Sequence, residues 1–386
     1  MRSKLKNYTW HRFTYAAIRS TIGQLVRRSM RLQCIIQKGP NKPSLIIANH
    51  NTDLDPALVG LGFSRHTYFL ASEHALRAGF PSKLLKFFFA PIPFNKARTD
   101  VPAIKEMIRR LKAGASVCLF AEGDRSFNGQ TGPIALSSAK LAKKSGADLI
   151  TYRFTGAYFV SPRWAKKKRK GIINGAVVNT YSAQELNSMT AEEILEIMER
   201  DLFVDAYERQ NEKPCRYPGK DLAESIETVL YLCPLCEAIG TIKSKGDHFK
   251  CSCGLTGSYT ETGFLAGDSL PFKSITDWDK WQIGVLAKIV SKAGYDPICS
   301  DDEQQLFEVQ PAVGKKLVGE GSMYIDRMLF SCCGMSFPLE NITKFAVVGQ
   351  KVLLFALKDG ATYEVRSRSP RSALKYREIF RLLSGS

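Results

Sequence analysis

The sequence predicts an α/β domain, then a cysteine-rich insert and a small β-rich domain. Three observations predict it. Between residues 32 and 213, short apolar runs alternate with amphipathic helical patterns, as expected for strands joined by crossover helices. Two close pairs of cysteines follow, at Cys233 and Cys236 and at Cys251 and Cys253. From about residue 303 the pattern becomes short strands cut by turns. A chain of 386 residues suits two or three domains rather than one.

Residues 1–31 contain a predicted basic amphipathic helix from Tyr8 to Arg31. Tyr15, Ile18, Ile22, Leu25 and Val26 recur at helical spacing, and Arg12, Arg19, Arg27 and Arg28 supply charge. Such a helix can lie in a membrane interface with Trp10 and Phe13 as anchors. Packing against its own domain explains the pattern equally well.

Within residues 32–213 the predicted strands are Leu45–Ala48, Tyr68–Ala71, Val117–Ala121 and Leu149–Phe154. Ala103, Ile104, Met107, Ile108 and Leu111 form a helical stripe, with Pro102 in the first turn and Gly114 past its end. A long polar helix from Ala191 to Gln210 closes the domain. The cysteine insert spans residues 228–262. A connecting helix, residues 274–294, opens at Thr276 and carries Trp278, Trp281, Val285 and Ile289 on one face. Residues 303–386 hold about seven strands, with turns at Val348-Gly349-Gln350 and Asp359-Gly360. Ser369 as N-cap and Pro370 at the first position open a final helix. That order of elements resembles a pleckstrin-homology-like (PH-like) module, a topology that carries no function by itself.

The net charge of +18 calls for a polyanionic partner: nucleic acid, an anionic membrane surface or a phosphorylated substrate. No signature of nucleic-acid binding accompanies the charge, so nucleic acid is not the expected partner. There is no apolar run of about 18 to 20 residues to span a bilayer, and no apolar segment of a signal peptide follows the basic residues after Met1. The expected place is the cytoplasmic face of a membrane, peripheral or monotopic. Ten cysteines, clustered only once, suit a reducing compartment and a metal.

Two segments carry the candidate chemistry, each at the end of a predicted strand where α/β sheets gather their sites. The first, Asn49-His50-Asn51-Thr52-Asp53-Leu54-Asp55-Pro56, offers an imidazole and nearby carboxylates. Transfer to an alcohol needs its proton removed as the new bond forms, and neutral imidazole is the side chain matched to that near pH 7. Asp55 is positioned to orient His50, although Asp53 is an equal partner on spacing. Asp55-Pro56 also reads as the start of a helix through Ala57, Leu58 and Leu61.

The second segment is Glu122-Gly123-Asp124-Arg125-Ser126. A glycine turn lets backbone amides approach an oxyanion, and an arginine can grip a phosphate. Gly129 and Gly132 precede a helix expected near Pro133. Between the segments, Arg98 is a further phosphate candidate. The run Arg163-Trp164-Ala165-Lys166-Lys167-Lys168-Arg169-Lys170 is expected to dock on anionic headgroups. Leu84-Leu85-Lys86-Phe87-Phe88-Phe89 suits a bilayer, an acyl tunnel or a buried helix.

Asn49-His50-x4-Asp55, Phe94-x3-Arg98 and Phe120-x-Glu122-Gly123-x-Arg125-Ser126, in that order, resemble the glycerolipid acyltransferase family that includes the lysophosphatidic acid acyltransferases. The resemblance covers roughly residues 30–210 and implies an acyltransferase-type αβ sandwich. It implies His50 as general base, Asp55 as its orienter, and Arg98, Glu122, Gly123 and Arg125 as acceptor-binding residues. The implied reaction moves an acyl group from acyl-CoA or acyl carrier protein to a lysophospholipid, most simply 1-acyl-glycerol 3-phosphate, in phospholipid biosynthesis. Ala121 stands where the family usually has proline, Asp124 where it has threonine, and a usual proline is missing from Ile150-Thr151-Tyr152. Asp124 puts negative charge near the acceptor's phosphate, leaving a differently substituted lysolipid open.

Cys233-x2-Cys236 and Cys251-x-Cys253 can furnish four thiolates to a tetrahedral structural zinc, with His248 as a possible substitute ligand. The competing reading of the whole chain is a degenerate enzyme that binds lipid through its PH-like module.

Overall fold

The computed structural model describes residues 5, 7–37, 42–72, 76, 80–94, 100–310 and 314–385. The chain divides into two compact units: Met1–Pro162 with Arg169–Tyr217, and Arg163–Lys168 with Pro218–Ser386.

Unit 1 opens with α1 (Tyr8–Ser20) and α2 (Ile22–Ser29). The single helix expected from Tyr8 to Arg31 is therefore corrected to two. Thr21 breaks it, at φ −110° and ψ −92°, and its hydroxyl bonds back to the Ala17 carbonyl. The break rotates the stripe: Tyr15 is buried, whereas Ile22 and Leu25 are exposed.

The strands of unit 1 are β1 (Leu32–Cys34), β2 (Ser44–Ala48), β3 (Thr67–Ser72), β4 (Ile92–Phe94), β5 (Ser116–Phe120), β6 (Asp148–Thr155) and β7 (Ile173–Tyr181). They form one sheet in the order β1-β7-β6-β2-β5-β3-β4. All its pairings are parallel except that of β7 with β6. The helices between them are α3 (Asp55–Gly62), α4 (Phe80–Phe89), α5 (Val101–Lys112), α6 (Leu136–Ser145), α7 (Ala157–Val160), α8 (Ala183–Ser188), α9 (Ala191–Leu202) and α10 (Ala206–Glu212).

Alternation along β2 and β5 sorts the faces. Leu45, Ile47, Val117 and Leu119 meet Met107 and Leu111 of α5, Leu141 of α6 and Ile194 and Met198 of α9 in one buried core. Each such aliphatic side chain contributes about 1.5–3 kcal/mol on leaving water. Ile46, Ala48, Cys118 and Phe120 point to the other face, and the Phe63 ring just after α3 lies 5.5 Å from that of Tyr152 on β6.

Three helix boundaries differ from expectation. The closing helix is split at Phe203–Asp205, because Asp205 accepts the amides of Tyr207 and Glu208 and so caps α10. The helix expected near Pro133 begins at Leu136. In unit 2 the final helix begins at Leu374, with the Ser372 hydroxyl accepting the Lys375 amide, while the Ser369 hydroxyl donates to Glu303.

Unit 2 holds a small sheet of β8 (Ile242–Lys245), β9 (His248–Cys251), β10 (Thr256–Tyr259) and β11 (Leu265–Ala266), followed by α11 (Ile275–Lys292). α11 buries Trp278, Gln282, Leu286 and Val290, a face offset from the Trp281–Val285–Ile289 stripe. A seven-stranded antiparallel sheet follows: β12 (Cys299–Gln310), β13 (Gly314–Ile325), β14 (Leu329–Cys332), β15 (Met335–Pro338), β16 (Ile342–Val348), β17 (Val352–Leu357) and β18 (Thr362–Ser367). Its order is β15-β14-β13-β12-β18-β17-β16, and α12 (Leu374–Ser384) closes the chain.

Part of the basic run is buried or paired, while Lys168 and Lys170 are exposed. Arg163 is buried and donates to the carbonyls of Val347 and Gly349. Trp164 and Arg169 are buried, and Lys166 and Lys167 pair with Glu224 and Asp221. Among the described residues, no helix is long and apolar enough to cross a membrane.

Candidate active site

The site forms where β2 and β5 end side by side, with Ala48 in register with Phe120. Asn49 ties the end of β2 to β6, because its side-chain amide donates to the Phe154 carbonyl at 3.0 Å and accepts the Phe154 amide at 2.7 Å. The chain then turns so that His50 lies over the Phe120 ring, their centroids 4.4 Å apart and their planes at 23°.

His50 Nδ1 lies 2.9 Å from Asp55 Oδ2. The choice between Asp53 and Asp55 is thereby made in favour of Asp55. That same oxygen accepts the amides of Asn51 and Thr52 at 2.6 and 2.9 Å, and Oδ1 accepts the Thr52 hydroxyl at 2.7 Å. Asp55 is fully buried and is also the first residue of α3, so helix start and histidine partner are one residue in two roles. Four donors aimed at one carboxylate fix its position. His50, 18% exposed, remains open to solvent.

Glu122 stands on the other side of His50. Its Oε1 accepts the His50 amide at 2.6 Å and its Oε2 accepts the Gly132 amide at 2.7 Å. The resemblance implies an acceptor-binding role; here each oxygen also accepts a backbone amide, so Glu122 braces two loops. Burial pushes its carboxyl up to about 8, against the pull of the Gly132 and His50 amides. Gly123 follows in an exposed turn at φ +69°, a conformation that an L side chain rarely adopts.

Arg125 reaches back toward the first segment. It donates through Nε to the Asn51 carbonyl at 2.8 Å, through Nη2 to the Ser161 carbonyl at 2.8 Å, and through Nη1 to Asp53 at 2.9 Å. Its side chain is 11% exposed, whereas that of Asp53 is 82% exposed. The Ser126 amide donates to the His50 carbonyl at 2.9 Å, closing the contact between the segments. Arg98 lies outside the described residues, as do the side chains of Leu84 and Leu85.

The fold thus brings His50, Asp55, Glu122 and Arg125 to one place. Sequence reasoning missed the parts played by Phe120 and Asn49.

Unit 2 carries a candidate metal centre. The Sγ atoms of Cys233, Cys236, Cys251 and Cys253 all lie within 4.8 Å of one another. Cys233 is 3.6 Å from Cys253, and Cys236 is 3.8 Å from Cys251. A tetrahedral zinc with bonds of about 2.3 Å separates its sulfurs by about 3.8 Å, so the donor set fits. The Thr241 hydroxyl is 3.1 Å from Cys251 Sγ, placed to hold that ligand. His248, the alternative ligand, is exposed on β9 and is not part of the cluster.

No curated protein matches the chain. Among solved structures it is similar to the 1-acyl-sn-glycerophosphate (LPA) acyltransferase PlsC from Thermotoga maritima. The two are 19% identical, with 55% of this chain and 84% of that chain covered, at a TM-score of 0.43. The model of the Acyltransferase family matches residues 26–155. That stretch holds His50, Asp55, Glu122 and Arg125, so the site described here lies within the part of the chain that the family model matches.

Proposed function

We propose that the protein transfers a fatty acyl group from an acyl thioester, on coenzyme A or acyl carrier protein, to the free hydroxyl of a lysophospholipid, with 1-acyl-glycerol 3-phosphate as the leading acceptor. The single observation that carries this reading is the bond between His50 Nδ1 and the buried Asp55 carboxylate. An ionised carboxylate only accepts, so Nδ1 bears the proton and Nε2 presents its lone pair. The acceptor oxygen attacks the thioester carbonyl as Nε2 takes its proton. The tetrahedral intermediate then expels the thiolate, which recovers that proton from His50. Ester and free thiol are the products. Asp55 holds the tautomer and offsets the imidazolium charge between the two transfers.

Arg125 and Arg98 supply charge for the acceptor's phosphate, and the Gly123 turn leaves room beside it. The exposed partner of Arg125, Asp53, is the group a phosphate would displace. Glu122 acts as a positioning residue through the His50 backbone. The exposed rings of Trp10, Phe13 and Phe87, with Trp10 and Phe87 5.8 Å apart, suit contact with the phospholipid surface that supplies the acceptor. In unit 2 the four cysteines would hold a structural zinc, with no coordination position left open for chemistry.

The test is acyl transfer from labelled acyl-CoA and acyl carrier protein to a panel of lysophospholipids in vesicles. Wild type should acylate one acceptor and His50→Ala should not. Equal background from both proteins with both donors would overturn the reading and leave lipid binding as the activity.

A further inference from the structure

Unit 1 has a concave surface that the His50 site does not use. A cavity of about 450 Å³ is lined by Gln24, Arg27, Arg28, Arg31, Leu32 and Ile172. Residues 24, 27, 28 and 31 share one side of α2 and the turn after it, so three arginines stand along one wall. Arg27 is fastened there, its Nε 3.4 Å from the Leu32 carbonyl and its Nη2 3.3 Å from that of Cys34. Arg28 and Arg31 are exposed. Among the described residues, none of the three pairs with a carboxylate. The composition explains this: the first acidic residue is Asp53, and the 52 residues before it contain ten lysines and arginines. Like charges gathered without a counter-charge create a potential that a bound anion relieves.

Strand register locates the cavity. Leu32 pairs with Ile173 where β1 and β7 begin. β7 is antiparallel to β6, with Asn174 opposite Thr155 at the end of β6, and β6 is parallel to β2. The cavity therefore opens at the sheet edge that carries the end of β2 and His50. β1 is three strand spacings from β2 in the sheet order, which is about 14 Å.

The lining selects the ligand. The volume exceeds what one phosphate fills. The apolar wall is aliphatic, Leu32 and Ile172, with no ring on which a nucleobase could stack. Ile22 and Leu25 on the same helix are 58% and 65% exposed, and Ile35 just past β1 is 80% exposed. A cationic cavity beside exposed aliphatic side chains matches the boundary between headgroups and acyl chains. We propose that this cavity binds the phosphate-bearing headgroup of an acidic phospholipid within a bilayer, while Leu25, the i,i+3 neighbour of Arg28 on α2, enters its acyl region. The bound lipid holds the catalytic edge of unit 1 at the membrane. This site is separate from the acceptor site and needs no turnover, so it stands or falls independently of the acyl-transfer reading.

The experiment is vesicle flotation of the full chain with phosphatidylcholine alone and with phosphatidylcholine containing phosphatidylglycerol. Arg28→Gln/Arg31→Gln spares the backbone bonds of Arg27, and Lys280→Gln/Lys288→Gln on exposed positions of α11 removes the same charge elsewhere. At roughly 1 kcal/mol per basic residue, the cavity variant should bind the acidic vesicles about tenfold or more weakly, while the control and His50→Ala bind like wild type. An equal loss in cavity variant and control would show diffuse charge attraction and overturn the site. Displacement of the protein from vesicles by free glycerol 3-phosphate, with no such effect on the cavity variant, would overturn the lipid in favour of a soluble phosphoester.

Discussion

Glu122 accepts the backbone amide of His50 at 2.6 Å, so the candidate base is held through its main chain as well as through Asp55. Because Gly132 donates to the other oxygen of Glu122 at 2.7 Å, one carboxylate joins the loop after β2 to the loop before α6.

That carboxylate should leave a signature in stability. Its value in the fold, about 8, lies above its ordinary value of 4.5. Between those values the folded state binds more proton than the unfolded state. Its contribution is therefore fully present below the lower value and is lost as pH rises through the upper one. Glu122→Gln has no proton to lose. Urea midpoints should show the wild type falling relative to this variant from acid to mildly alkaline pH, and a constant difference would refute buried charge at Glu122.

Asp55→Asn should separate orientation from folding. Its amide can donate to Nδ1, which leaves the proton on Nε2 and no base facing the acceptor. A loss on the order of 10⁴-fold in kcat is expected, with the acceptor's KM little changed. Circular dichroism and a thermal melt would verify the fold, since Asn51 and Thr52 also donate to this residue.

Removing Asp53 should help rather than harm an anionic acceptor. Its ion pair with Arg125 involves a carboxylate that is 82% exposed and is worth at most about 1 kcal/mol. Asp53→Asn should lower KM for a phosphate-bearing acceptor by up to about fivefold and leave kcat in place. A rise in KM would mean that Asp53 itself contacts the acceptor.

The cysteine cluster predicts one zinc per chain by elemental analysis, with loss of metal and a lower melting temperature in Cys233→Ser. Thr241→Val leaves all four ligands but deletes the hydroxyl beside Cys251, and should weaken zinc about 10- to 100-fold in competition with a chelator. Unchanged affinity would reduce Thr241 to a bystander.

Tyr152 carries a buried hydroxyl without a hydrogen-bond partner among the described residues, packed against Gly62 and Gly175. Tyr152→Phe should match or exceed wild-type stability, by up to about 1 kcal/mol, because nothing is lost when the hydroxyl goes. A Cβ at Gly175 would stand 2.3 Å from that hydroxyl oxygen, so Gly175→Ala should destabilise. Denaturation midpoints of the two variants measure both effects.

The strands of unit 1 were legible because they are short, apolar and bounded by polar turns, so local pattern and burial agree. β2, β3, β5 and β6 all fall on expected runs. The cysteine pairs were legible because ligand spacing is itself local. Helix limits were less so: Thr21 and Asp205 interrupt continuous helical patterns through hydrogen bonds that the pattern does not display. In the basic run, composition reads charge but not the carbonyls of Val347 and Gly349 to which the buried Arg163 donates.

By itself the sequence determined the α/β alternation, the cysteine spacing and the two segments that hold His50 and Glu122, all properties of neighbouring residues. Tertiary structure alone decided that Asp55 rather than Asp53 faces His50, that Phe120 lies beneath the ring, and that Glu122 serves the backbone. The first depends on how the turn after β2 folds back on itself, and the other two on strand register and on groups that meet across gaps of about 70 residues, where chain order imposes no geometry.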